Sequence, residues 1–137
     1  MQQATYLEVL ARAPAELVKQ FADDLIPHLG SIEVLQNRTG LVMLPMQDSA
    51  QGTTFYLGEV LIAEAHVRLN AGEGYGACLG RDLEQALAIA LLDAALVAGI
   101  EHDRIGHFLQ ARAAELAADD QELRQAAATT GVDLETF

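Results

Sequence analysis

One cysteine, three prolines and no tryptophan are the scarcest letters of this 137-residue chain. The lone thiol, Cys78, cannot close an intrachain disulfide, and one thiolate cannot hold an iron–sulfur cluster, which takes several. Radical or cluster chemistry is therefore assigned elsewhere. Positive charge is also scarce: eight Lys and Arg face 20 Asp and Glu, a formal net charge of -12. The cations are scattered rather than striped and the net charge repels phosphate backbones, which argues against nucleic acid as a partner. A phosphate-bearing ligand would need a local basic pocket or one supplied by a partner. No uninterrupted apolar run reaches the ~18 residues that span a bilayer, so no membrane partner is expected. The start, "MQQATYLEVL", lacks the basic flank and cleavage site of a targeting leader, which gives a cytoplasmic expectation.

What is present reads as one α+β domain over residues 1–137, with no repeat, low-complexity segment or linker. Apolar residues recur at helical spacing from Thr5 to Leu25, and Pro14 divides them into two short helices, since proline suits a first helical turn. A turn is expected from Pro27 to Ser31. "SIEVLQN" then alternates as a strand, "RTG" turns the chain, and "LVMLPMQ" is a second strand whose Pro45 marks an edge or bulge. After the polar loop "DSAQGTT", the longest extended run covers Phe55 to Asn70, with a bulge or bend at Gly58-Glu59. "YGACLG" is a fourth strand. The expected order is α-α-β-β-β-β-α-α, around a mainly antiparallel four-stranded sheet.

The third strand alternates cleanly. Leu61, Ala63, Ala65, Val67 and Leu69 point to a core, while Ile62, Glu64, His66 and Arg68 share the other face. A carboxylate, an imidazole and a guanidinium in a row could bind or protonate an anion. The same row is an ordinary solvated or subunit-contacting face of an antiparallel sheet, and both readings stay open.

Gly72, Gly74 and Ala77 fit the spelling of a dinucleotide fingerprint, but no second parallel strand with an acidic residue follows. "NAGEG" is instead a turn between antiparallel strands. Gly76, Cys78 and Gly80 fall on one face of the short strand, where missing side chains admit a helix. Asp82 caps the next helix, with Gln85 as the capping-box position, and the segment to about Ala98 is apolar on more than one side. Asp93 is the odd carboxylate within it and needs a donor, for which Arg81 and Arg104 are the candidates. A final helical stretch runs from about Asp103 to Ala128, with "AADD" as a break. His102 and His107 are five apart and do not share a helix face, so no metal site is expected.

"TGLVMLP", "FYLGEVLIAEAHVRL", "GYGACLGRD" and "ALLDA", in that order and spacing, resemble the PhnG family, the G subunit of the carbon-phosphorus lyase core complex. The resemblance covers about Thr39 to Ala98, and the ending "VDLETF" is similar to the family's close. It implies a non-lytic subunit that supports, with its partners, the displacement of adenine from ATP by a phosphonate, giving ribose 1-phosphonate 5-triphosphate. ATP is then a substrate of the complex, and no cofactor is bound by this chain alone. The implied partners are the nucleosidase-like, radical lytic and H-type subunits. Gly40, Leu41, Gly58, Arg68, Gly80, Arg81, Asp82 and Asp93 fall on family-pattern positions. Gln47 and "SAQG" replace an Arg and a Gly-Gly-Thr-Gly run, and Glu64 replaces another Arg. Those changes remove positive charge or anion-friendly backbone near the third strand.

His66, Arg68, Arg81, Asp93 and Glu59 are the candidate ligand or partner contacts, Arg68, Arg81 and Asp93 on family-pattern positions, with no catalytic residue assigned. The competing reading is a self-contained, homo-oligomeric protein that binds a small anion through Glu64, His66 and Arg68. The apolar groups of the tail 131–137 suit partner docking, each worth roughly 1.5 to 3 kcal/mol when fully buried. Deleting Val132 to Phe137 should leave the thermal midpoint of the isolated chain nearly unchanged while weakening its association with other subunits. A large drop in that midpoint would place the tail in the core.

Overall fold

The computed structural model describes residues 1–47 and 54–130. The polar loop after Gln47 and the tail from Gly131 to Phe137 lie outside these. The described elements are α1 (Gln3–Arg12), α2 (Ala15–Leu29), β1 (Glu33–Gln47), β2 (Thr54–Leu69), β3 (Gly72–Leu79), α3 (Leu83–Ala98) and α4 (His102–Thr130).

The break at Pro14 falls where the sequence places it, with Pro14 capping α2. Pro27 does not begin a turn: it lies inside the last turns of α2, which continues to Leu29. A proline there removes one helical amide, but Leu25 and Leu29 are both buried and hold that turn against the core. The chain then reverses at Gly30, whose φ is 71°.

Among the described residues the sheet has three strands rather than four, in the order β1-β2-β3, and is antiparallel throughout. The expected turn at "RTG" does not exist. Arg38, Thr39 and Gly40 are consecutive rungs paired with Glu64, Ala63 and Ile62. A tight hairpin at Gly40 would require left-handed backbone, which Gly40 does not adopt. The two short runs are therefore one strand, matched in length by the long β2. The register shifts between Leu44 and Pro45, opposite Gly58, so the irregularity does fall beside the expected Gly58-Glu59 bend. Asn70 and Ala71 form the link from β2 to β3.

All of Ala63, Ala65, Val67 and Leu69 are buried on the inner face of β2. Above them lies α3, apolar around most of its circumference and buried from Gln85 to Ala95 except at Leu87. Its approach to β3 is set by what the strand lacks. A Cβ at Gly74 would overlap the Ala90 carbonyl and the Ala94 amide, and one at Gly76 would overlap the Ala86 carbonyl and the Ala90 amide. Alanines at every fourth position of α3 meet glycines at every second position of β3, so backbone rests on backbone. The glycine-faced strand anticipated from the sequence is thus real, though its inner-face set is Gly74, Gly76 and Cys78.

Against α3 pack α1, α2 and the first half of α4. Phe21 of α2 stacks on Phe108 of α4 with ring centroids 4.1 Å apart, and the Arg112 guanidinium lies 4.9 Å over the Phe108 ring. α4 runs unbroken through "AADD", whose alanines favour helix and whose Asp120 pairs with Arg12 of α1 at 3.2 Å. The observed order is α-α-β-β-β-α-α.

Two glycines should respond oppositely to alanine. Gly76→Ala forces backbone apart and should cost about 1–3 kcal/mol in urea denaturation, the usual range for overpacking. Gly106→Ala on α4 meets open space and should stabilise by about 0.5–1 kcal/mol through helix propensity. A neutral Gly76→Ala would mean that α3 does not rest on β3 this closely.

Candidate functional site

The outer face of the sheet carries a ladder of charges. On β2 stand Glu64, His66 and Arg68, and the antiparallel register sets Arg38 of β1 opposite Glu64 and Glu33 opposite Arg68. On β3 it sets Tyr75 opposite His66 and Glu73 opposite Arg68. Arg68 Nε donates to Glu73 Oε1 at 3.1 Å and its Nη1 donates to Glu33 Oε2 at 3.2 Å. His66 Nε2 lies 3.0 Å from Glu73 Oε2. Arg38 Nε donates to Glu64 Oε1 at 2.7 Å, and the Tyr75 hydroxyl donates to Glu64 Oε2 at 3.0 Å.

These contacts fix the protonation states. The Arg38 guanidinium, then the Tyr75 hydroxyl, hold Glu64 below the usual carboxylate range. Arg68, then His66, do the same for Glu73. Burial, then the Glu64 carboxylate, push the Tyr75 phenol up. Glu64 and Glu73 stay charged at neutral pH, and Arg68 is held between Glu33 and Glu73. Each carboxylate of the face is paired with a guanidinium and Arg68 serves two, which suits contact with water or a protein surface more than capture of a free anion.

The inner layer holds a different polar cluster. Asp93 of α3 is 1% exposed and accepts hydrogen bonds from three donors, with Gln3 Nε2 also 3.4 Å from Oδ2. The Tyr75 amide donates to Oδ2 at 2.8 Å, Gln3 Nε2 donates to Oδ1 at 3.1 Å, and the Tyr6 hydroxyl donates to Oδ1. The donors are therefore neither Arg81 nor Arg104, the candidates taken from the sequence. They come from α1 and β3, which only the tertiary fold brings to α3. Burial, then the bond to Asp93, push the Tyr6 phenol far above its ordinary value, so it remains a donor. Beside the cluster a cavity of about 440 Å³ opens between α1, α3 and α4, lined by Gln3, Tyr6, Leu96, Val97, His102 and Leu109 among others. Two of its polar lining residues, Gln3 and Tyr6, are already committed to Asp93.

A third locus is the corner between β3 and α3. Asp82 accepts the Gln85 amide at 3.0 Å through Oδ1, capping α3 as its position in the sequence indicates. Its other oxygen lies 2.8 Å from Lys19 Nζ, which ties α2 to the same corner. Lys19, then the Gln85 amide, hold the Asp82 carboxyl low. The Gln85 side chain does not close a capping box: its Nε2 donates to the Ala11 carbonyl at 3.4 Å. Arg81 is exposed at this corner; its carbonyl accepts from the Leu83 amide at 2.9 Å, and its side chain has no ion pair or hydrogen bond among the described residues.

A family model described as phosphonate metabolism protein PhnG matches residues 1–137. The chain belongs to this family. A relative from Rhizobium meliloti (strain 1021), named alpha-D-ribose 1-methylphosphonate 5-triphosphate synthase subunit PhnG, is 35% identical over 100 residues. The match takes in 72% of this chain and spans 64% of the length of that relative.

The five residues singled out from the sequence do not converge. His66 and Arg68 share Glu73 on the outer face, Asp93 is in the inner layer, and Arg81 is at the helix corner. Glu59 is on β2 beyond the last rung that β3 supplies, which is Ile62 with Leu79. Tyr75 alone joins two loci: its amide binds Asp93 and its hydroxyl binds Glu64. Sequence reasoning missed Gln3, Tyr6, Lys19, Glu33, Arg38, Glu73 and Tyr75. Counting back from a two-residue turn at Asn70-Ala71 would have set Glu73 opposite Arg68. No local signal links Gln3 or Tyr6 to a carboxylate some ninety positions away. Among the described residues, no three His, Cys, Asp or Glu side chains gather as metal ligands would, and no described helix is long and apolar enough to cross a membrane.

Tyr6→Phe removes one bond to the buried carboxylate and should destabilise by about 1.5–3 kcal/mol, the range for hydrogen bonds to charged groups. The raised Tyr6 pKa also gives a pH signature. Its contribution is fully present below the unfolded phenol's value of roughly 10 and is lost as pH rises towards the folded value. Stability measured by chemical denaturation should therefore fall above about pH 10 in the wild type, and less steeply in Tyr6→Phe. Parallel slopes for the two proteins would detach Tyr6 from the alkaline transition.

Proposed function

We propose that this chain is a non-lytic subunit of a multi-subunit synthase of the kind its relative is named for, supporting the displacement of adenine from ATP by a phosphonate. The carrying observation is the family match across the whole chain, joined to a curated relative named as a subunit of alpha-D-ribose 1-methylphosphonate 5-triphosphate synthase. The site geometry supports a supporting rather than a chemical role. Asp93 is saturated by three donors, and the carboxylates of the outer face are each taken by a guanidinium, so none is poised as a general base. ATP and the phosphonate are substrates of the assembly, and the partner subunits supply the reacting centre.

The reading as a self-contained anion binder using Glu64, His66 and Arg68 is less well supported. The Arg68 guanidinium is bracketed by Glu33 and Glu73, and a phosphate arriving there would meet two carboxylates. Arg81 is the better contact for an anion or an acidic partner group. It is exposed, unpaired among the described residues, and fixed in place by the capped start of α3 next to it.

The isolated chain should release no adenine from ATP and methylphosphonate, whereas the co-expressed complex should. Arg81→Ala removes no side-chain hydrogen bond or ion pair made among the described residues. It should leave the thermal midpoint of the chain unchanged while lowering adenine release by the complex at least tenfold. Steady release by the chain alone would refute the subunit reading, and full activity of the Arg81→Ala complex would remove Arg81 from the site.

A further inference from the structure

β1 and β2 stay paired well past the end of β3. The last rung of β3 joins Leu79 to Ile62, while β1 and β2 continue from Leu41 opposite Leu61 to Gln47 opposite Thr54. The extension is a two-stranded ribbon, a form that is marginal in water without cover. It is also the least charged part of an acidic protein: from Thr39 to Ile62 only Asp48 and Glu59 carry charge. Leu41 is 64% exposed, Met43 51% and Val42 45%. At its base Leu79 is 75% exposed, and the Gly80 amide donates to the Leu61 carbonyl.

The two edges of the sheet differ. At β3 the edge amide of Tyr75 is taken by Asp93, and α1 packs nearby. Among the described residues no strand pairs with the outer edge of β1. All of β1 from Glu33 to Met43 is exposed apart from the partly covered Asn37 and Gly40, and a Cβ at Gly40 would meet nothing within 4 Å. A long edge whose only charged residues are Glu33 and Arg38, with no neighbouring strand among the described residues, is a template for one more strand.

We propose that β1 receives an extended segment of a partner subunit, which adds antiparallel or parallel to its outer edge as a fourth strand. The inference rests on the synthase-subunit reading above. The segment has apolar side chains on the α3 side, where they meet Leu41 and Met43, and it carries no acidic residues, because it approaches a body of net charge -12. The same charge disfavours a second copy of this chain as the occupant, since two such bodies repel. Unpaired backbone groups favour a strand over a helix, which would cover the side chains and leave the edge amides unbonded.

The test compares the chain alone with the complex formed on co-expression with the other synthase subunits. Hydrogen exchange of amides in 35–43 should slow at least tenfold on assembly, while those in 73–79 change little. Leu41→Asp, at an already exposed position, should keep the thermal midpoint of the isolated chain and weaken co-purification at least tenfold. Leu123→Asp on α4, similarly exposed, should do neither. If wild type fails to co-purify at all, the subunit reading fails and this proposal falls with it. If wild type assembles but Leu41→Asp assembles equally well, or the 35–43 amides exchange at an unchanged rate, the proposal alone is overturned. Self-association of the isolated wild type that Leu41→Asp abolishes would name a second copy as the occupant and overturn it as well.

Discussion

Backbone-to-backbone contact between α3 and β3 is the constraint on which the rest of the molecule depends. Gly74 and Gly76 leave no side chain between the strand and the helix, and Ala86, Ala90 and Ala94 complete the fit. The short separation brings Asp93 within reach of the Tyr75 amide. A carboxylate buried this deeply is tolerable only when its lone pairs are filled, and the fold fills them from two further elements. Gln3 and Tyr6 thereby fix α1 against α3. Losing the glycines would move the helix outward and leave the carboxylate without its strand donor.

The same packing makes the sheet one-sided and lopsided. The helices gather over β3 and β2, and β1 is left bare on its edge and along most of its length. Such an arrangement is costly for a protein that works alone, because an exposed, sparsely charged edge strand invites unspecific pairing. It is natural for a subunit whose neighbour completes the sheet. The outer face complements this picture, since its carboxylates are paired with guanidinium groups in place and present a polar surface rather than an anion trap.

Electrostatics sharpens the division of labour. With eight cations in the chain, most are consumed internally: Arg12 by Asp120, Lys19 by Asp82, Arg38 by Glu64, Arg68 by Glu33 and Glu73, Arg112 by Glu115. Arg104 lies 5.7 Å from the Phe21 ring centroid. Among the described residues neither Arg81 nor Arg124 of α4 has a side-chain ion pair or hydrogen bond, and Arg81 sits beside a helix start whose cap is itself tied down by Lys19. A cation free to meet something else, held by a rigid corner, is better placed for recognition than one already neutralised.

The sequence by itself determined what depends on neighbours along the chain. The proline at position 14 divided the first two helices, alternation from Leu61 to Leu69 assigned the faces of β2, Asp82 announced the start of α3, and motifs in register identified the family. Local signals misled where a long-range partner overrode them. "RTG" has the composition of a turn, yet sixteen residues of β2 offered rungs for every one of its positions, and pairing won. "AADD" looked like a break, but Arg12 and helix propensity carried α4 through it. The tertiary structure alone decided who satisfies Asp93, because Gln3, Tyr6 and Tyr75 converge through packing that no spacing encodes. It alone also decided which edge stays open, because edge exposure depends on where the helices come to rest.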